Sequence, residues 1–124
     1  MHDGNADFSD IILKASSDPE IIAVVLFGSR LNRERYRDTD ICLFTKGCLK
    51  RDKRMEYLSC FGDKYDIQVF SELPLYIRAN VLKDGRILLD KDYHALFDIY
   101  RETIQAFDLF KPHFDAFLGV QENG

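Results

Sequence analysis

Runs of hydrophobic and alternating residues predict four strands in this chain. The segment from Ile21 to Phe27 is apolar throughout and rich in β-branched residues, which indicates a strand buried on both faces. The segment 40–45 is a second strand that sends Asp40, Cys42 and Phe44 to one face, the segment 65–70 alternates between apolar and polar residues over most of its length, and Arg86 to Leu89 is a short further strand. Helices are predicted at Ala6 to Ser17, Arg30 to Tyr36, Lys50 to Cys60, Leu75 to Leu82 and Tyr93 to about Lys111.

The last predicted helix carries an apolar stripe. Asp90 or Asp92 can cap its start, and Pro112 should kink or end it, although the C-terminal helix as a whole is assigned to residues 92–118. The stripe favours packing against the sheet, whereas the segment from Phe107 to Leu118 is a candidate for contacting a partner protein or a second copy of the chain. The stripe consists of Tyr93, Leu96, Phe97, Tyr100, Ile104 and Phe107.

These elements predict an α/β (α+β) fold in which a small mixed β-sheet packs against helices. The chain has 124 residues, of which 46% are hydrophobic, and this is enough for one core, so residues 1–124 are expected to form a single domain. A net charge of −4 argues against direct binding of nucleic acid. We expect no membrane segment, because neither a signal peptide nor a long apolar run is visible. The three cysteines form no CxxC pair, and free thiols are typical of a cytoplasmic protein.

A glycine-serine pair directly after the first strand predicts an anion-binding turn. Gly28 and Ser29 lie where backbone N–H groups emerge without partners at the end of a strand. Gly28 lets a phosphate approach the backbone without a Cβ in the way, and Ser29 adds a hydroxyl group. The basic residues that follow are either close to a triphosphate or partner, or simply solvated surface; they are Arg30, Arg33, Arg35 and Arg37.

Two carboxylates on different predicted strands can face each other beside this turn. Strand alternation places Asp40 and Cys42 on one face of their strand, and it places Asp66 and Gln68 together on theirs. Asp66 could therefore lie opposite Asp40. Such an arrangement is what metal-assisted phosphoryl or nucleotidyl transfer needs, because hard oxygen ligands hold Mg²⁺ against a triphosphate.

This combination resembles the minimal nucleotidyltransferase (MNT) family of the DNA polymerase β superfamily. The family pattern is Gly-Ser, ten residues, Asp-x-Asp and a later third Asp, and ten residues separate Ser29 from Asp40 here. The resemblance implies that Asp40 and Asp66 are catalytic metal ligands. It also implies a nucleotide-binding role for Gly28, Ser29 and Arg30.

The resemblance extends through residues 81–89 and the aromatic helix that follows, which look like the second half of MNT-type antitoxins. Those antitoxins pair with HEPN-domain toxins, which are ribonucleases, and silence them by transferring AMP from ATP to a tyrosine. The resemblance thus implies a nucleotidyltransferase fold, ATP as substrate, Mg²⁺ or Mn²⁺ as cofactor and a HEPN toxin as partner. A homo-oligomer is also possible.

Position 42 departs from the family pattern, because the second carboxylate of Asp-x-Asp is replaced by Cys42. A protonated thiol offers Mg²⁺ neither charge nor oxygen, so a two-metal reaction should be weakened. Two alternatives could replace the missing metal ligand. A shifted loop could bring Asp38 to the site as a catalytic carboxylate, or a softer ion such as Mn²⁺ or Zn²⁺ could accept Cys42 as a metal ligand.

Three functions therefore stay open from the sequence. The first is an active adenylyltransferase that modifies a HEPN toxin. The second is a catalytically degenerate antitoxin that neutralises its partner by binding alone. The third, less favoured because so short a chain has no separate substrate domain, is transfer onto a small molecule such as an aminoglycoside.

Overall fold

A computed structural model describes the backbone of residues 8–27 and 39–118 and the side chains of residues 8–27 and 40–109. The predicted helix from Arg30 to Tyr36 lies outside these ranges. None of the described helices is long and apolar enough to cross a membrane. A short 3₁₀ turn covers Phe70–Glu72. The main elements are α1 (Ser9–Ser16), β1 (Ile21–Phe27), β2 (Thr39–Thr45), α2 (Arg51–Phe61), β3 (Tyr65–Val69), α3 (Leu75–Asp84), β4 (Arg86–Asp90) and α4 (Tyr93–Leu118).

The four strands form one mixed sheet in the order β3-β2-β1-β4. β1 pairs antiparallel with both β2 and β4, whereas β2 and β3 are parallel. β1 is thus an inner strand, and its residues 21–25 are buried, as their unbroken apolar run predicts. The predicted α/β (α+β) fold with a small mixed sheet is confirmed.

Apolar residues of the strands divide between two clusters, one on each face of the sheet. On one face, Val24, Ile41 and Leu43 pack with residues of α1 and α2. On the other face, Cys42 and Phe44 pack with residues of α3 and α4. The sheet is therefore covered by helices on both sides, and strand alternation decides which helices each side chain meets.

The final helix continues past Pro112 and ends at Leu118, the last residue of the range 92–118 assigned from the sequence. Pro112 thus does not end the helix. At its start, the Ala95 backbone N–H donates to Asp92 Oδ1 at 3.1 Å, so Asp92 caps this helix. A proline removes one backbone hydrogen bond from a helix interior, and that cost does not stop the helix here.

The predicted packing of the α4 stripe is only partly right. Leu96 is buried and Tyr100 is half-buried against the sheet. Tyr93, Phe97 and Ile104 are instead 66%, 52% and 51% exposed. Both sets recur at helical spacing, so the period of the pattern does not tell a core-facing row from a neighbouring solvent-facing row.

A buried carboxylate, Asp18, joins the end of α1 to α2. Only 5% of Asp18 is exposed; it accepts hydrogen bonds from the Tyr57 hydroxyl at 2.9 Å and from the Glu20 backbone N–H at 3.0 Å. The Lys53 ammonium lies 3.4 Å away. Burial alone would raise the pKa of Asp18, but these donors together outweigh it and hold the pKa below its ordinary value.

We expect Asp18→Asn to lower the free energy of unfolding at pH 7 by about 2 kcal/mol, because hydrogen bonds to a charged group are lost. A carboxylate with a lowered folded-state pKa stabilises above its unfolded pKa, and this stabilisation disappears as the pH falls through the folded pKa. Urea unfolding at pH 7 and at about pH 3 should show the variant's deficit shrinking in acid. The exposed Asp63→Asn is the control and should change little. An equal deficit at both pH values would contradict the electrostatic account.

Candidate functional site

Two carboxylates lie side by side where β2 and β3 begin. The strands β2 and β3 are linked through α2 as a βαβ unit, which makes them parallel and brings their first residues to one end of the sheet. Their register pairs Asp40 with Asp66 and Cys42 with Gln68. Paired residues on adjacent strands project to the same face, about 5 Å apart. The structure therefore brings Asp40 and Asp66 together.

This carboxylate pair lies on the sheet face that packs against α3 and α4. The alternate residues Ile41 and Ile67 point the other way, into the cluster beneath α1 and α2. Asp66 is exposed because β3 is an edge strand, and Asp40 is partly buried on the inner strand β2. One oxygen-rich corner of the sheet is thus open to a ligand from solvent.

Gln68 holds the Asp66 carboxylate in place. Its Nε2 amide donates a hydrogen bond to Asp66 Oδ1 at 3.1 Å. This bond favours one orientation of the Asp66 carboxylate. Strand alternation predicts the face on which Gln68 lies but not its contact with Asp66; the signal that could have indicated this contact is the Asp-x-Gln spacing on an alternating strand.

Cys42 is fully buried directly behind the carboxylate pair, in the apolar cluster with Val25 and Phe44. Burial, and to a smaller extent the negative charge of Asp40, raises the pKa of the Cys42 thiol well above its ordinary value. The thiol is therefore neutral, and its surroundings are those of a core residue.

The other predicted site residues, Gly28, Ser29, Arg30 and Asp38, lie outside the described residues. The last residue of β1, Phe27, pairs with Asp40, so β1 ends at the end of the sheet that carries the carboxylates, and Gly28 follows it in the sequence. Among the described residues, no three His, Cys, Asp or Glu side chains come together as a metal-binding group. The candidate metal ligands in the described part of the site are the carboxylates of Asp40 and Asp66, whose hard oxygens suit Mg²⁺ or Mn²⁺.

Solved structures of toxin–antitoxin complexes share this fold. A chain from a mutant form of the pair MntA-HpeT superposes with a TM-score of 0.71 at 17% identity, covering 92% of this chain and 97% of that chain. A chain from the tri-AMPylated Shewanella oneidensis HEPN toxin in complex with MNT antitoxin gives a TM-score of 0.66 at 18% identity, covering 89% and 92%. At these identities the likeness is one of fold.

Sequence comparison adds a relative and a family. A Methanocaldococcus jannaschii protein, named as a candidate protein adenylyltransferase, is 31% identical over 84 residues, which are 66% of this chain and 66% of that protein. The family model described as polymerase beta, nucleotidyltransferase matches residues 9–94, a stretch that begins with α1 and includes the whole sheet. Because this match covers more than half of the sequence, the chain belongs to the polymerase β nucleotidyltransferase family.

Proposed function

We propose that this chain is a nucleotidyltransferase-like antitoxin, which transfers AMP from ATP to a tyrosine of a HEPN ribonuclease toxin and so neutralises it. The observation that carries the proposal is the parallel register that sets Asp40 beside Asp66 at the end of the sheet where Gly28 follows β1. The choice of acceptor is supported by the name of the Methanocaldococcus relative and by the AMPylated HEPN toxin in the Shewanella complex.

Each proposed residue has a separate task. Asp40 and Asp66 would hold the divalent cation, Mg²⁺ or Mn²⁺, which when bound neutralises triphosphate charge. Gln68 orients Asp66 through its hydrogen bond. Gly28, Ser29 and Arg30 would hold the phosphates, and Asp38 would add a further carboxylate.

The reaction exchanges one bond to the α-phosphorus of ATP for another. The tyrosine hydroxyl loses its proton to solvent as its oxygen bonds to the α-phosphorus of ATP. The bond between that phosphorus and the bridging oxygen breaks, and pyrophosphate leaves. Asp40 and Asp66 would hold a cation that supplies positive charge beside the leaving group, and their positions on adjacent paired strands would keep these ligands in place during the transfer.

One observation favours a second candidate function. Cys42 occupies the place of the family's second metal carboxylate and is buried as a neutral thiol, so the described site offers two carboxylates where the family pattern has three. A chain with too little negative charge to hold its metals would neutralise a HEPN partner by binding alone. The two candidates differ in chemistry and share a partner.

The test is transfer of label from ATP labelled at the α-phosphate. The purified chain is mixed with HEPN-domain proteins encoded in the same genome, the adjacent gene product first, in the presence of Mg²⁺ or Mn²⁺. We expect label on a tyrosine of one HEPN protein, located by mass spectrometry, together with loss of its ribonuclease activity. Inhibition without label would establish the second candidate, and neither label nor inhibition would refute both.

A further inference from the structure

An exposed apolar groove runs between β4 and α4. It has a volume of about 460 Å³. The Tyr93 and Phe97 rings form one wall, stacked with their centroids 6.2 Å apart, and Ile87 of β4 faces them. Buried or half-buried side chains form the floor, whereas the wall residues are about half exposed. The apolar lining consists of Ile87, Tyr93, Leu96, Phe97, Tyr100 and Ile104.

Polar side chains border this groove. Asp90 lies at its β4 side, and Arg101 and Gln105 lie along α4. Arg101 is held by an ion pair with Asp98 at 3.0 Å, one turn earlier on the same helix. An apolar centre inside a polar rim is typical of a protein–protein interface. A cluster of exposed apolar side chains likewise indicates an interaction site.

The chain's own termini are poor occupants for the groove. The sequence of residues 1–7 is mostly polar, and residues 119–124 contain a single large apolar residue, Val120. Neither segment supplies enough apolar side chains to cover four exposed ones. A polypeptide with several large apolar side chains would suit the groove better than either segment.

The location of the groove connects it to the carboxylate pair. Val25 of β1 pairs with Cys42 on one side and with Ile87 on the other, so these three residues form one row on the same sheet face. Asp40 lies one row further along, paired with Phe27. Two strand spacings and one row place Ile87 roughly 12 Å from Asp40. Ile87, at the β4 side of the groove, thus lies on the same sheet face as the carboxylate pair, and a polypeptide bound in the groove would lie close to the site.

We propose that this groove is the docking surface for the protein that accepts AMP, and that the acceptor occupies it with an amphipathic helix carrying aliphatic and aromatic side chains. This inference rests on the proposed function, because it takes the HEPN protein as the occupant. The groove follows α4 from Tyr93 to Ile104, a length of roughly 16 Å, which matches about three turns of a partner helix. The proposed contact thus lies N-terminal to residues 107–118, the segment that the sequence predicts as the partner contact.

The proposal is tested by introducing a charge into the groove. Phe97→Lys and Tyr93→Lys should each raise the dissociation constant of the HEPN protein at least about tenfold, since both residues are exposed aromatic side chains of the groove wall. Leu13→Lys is the matched control, because Leu13 is 72% exposed on α1, on the opposite face of the sheet. Binding is measured by calorimetry without ATP, and AMP-PNP affinity should be equal in all four proteins.

Each outcome has a distinct meaning. Unchanged HEPN affinity in both groove variants, with normal binding by the wild type, would overturn the docking surface and leave the proposed function standing. Failure of the wild type to bind any HEPN protein would overturn the proposed function and this inference with it. Sedimentation that shows a wild-type dimer and a Phe97→Lys monomer would assign the groove to a second copy of the chain, and this result also would overturn the proposal.

Discussion

Replacing Asp40 with asparagine should slow AMP transfer to the HEPN protein by about a hundredfold or more. The amide keeps the size of the side chain and one oxygen but removes the negative charge from the inner member of the carboxylate pair. A cation that is held less firmly stabilises the charge of the transition state less, and a loss of roughly 3 kcal/mol corresponds to slightly more than a hundredfold in rate. Initial rates with α-labelled ATP at saturating HEPN protein measure the effect.

The control for this prediction is a carboxylate outside the site. Asp63 is exposed in the turn between α2 and β3, and Asp63→Asn should retain the wild-type rate. The HEPN dissociation constant should stay unchanged in Asp40→Asn, because the groove lies two strands away. A wild-type transfer rate in Asp40→Asn would remove Asp40 from the chemistry, whereas a weakened complex would indicate damage to the fold.

The strands could be predicted from the sequence because their local patterns are unambiguous. Residues 21–27 form an unbroken apolar run and lie in an inner strand, and the alternation in residues 65–69 predicts the face that Asp66 shares with Gln68. The order β3-β2-β1-β4 could not be predicted in this way. It depends on which strand edges pair in space, and a local period of two residues contains no information on that pairing.

The exposed row of α4 and the burial of Cys42 show a second limit. The row of Tyr93, Phe97 and Ile104 has the same helical spacing as the row that packs on the sheet, and only the crossing position of α4 decides between them. Likewise, alternation places Cys42 on the face of Asp40. Alternation does not predict that Cys42, two positions after Asp40, is fully buried, because its burial depends on the helices that pack on this face of the sheet.

Cys42→Asp, which restores the carboxylate of the family pattern, should destabilise the metal-free chain by about 3–5 kcal/mol. The new side chain would be placed where Cys42 is fully buried, among Val25 and Phe44 and next to the negative charge of Asp40. An uncompensated buried charge costs this much in proteins. The free energy of unfolding, measured with urea in the presence of a chelator, gives the effect.

Cys42→Ser separates charge from polarity in the same experiment. Serine is similar in size and neutral, so it should cost only about 1–3 kcal/mol as a buried hydroxyl, and the difference between the two variants isolates the charge. Mn²⁺ should then stabilise Cys42→Asp more than Cys42→Ser if residue 42 joins Asp40 and Asp66 as a ligand, because a ligand that binds only the folded state raises its stability. Equal stability of both variants without metal would mean that position 42 opens to water.

Faster AMP transfer by Cys42→Asp in Mg²⁺ would show that the cysteine, rather than the rest of the site, limits catalysis.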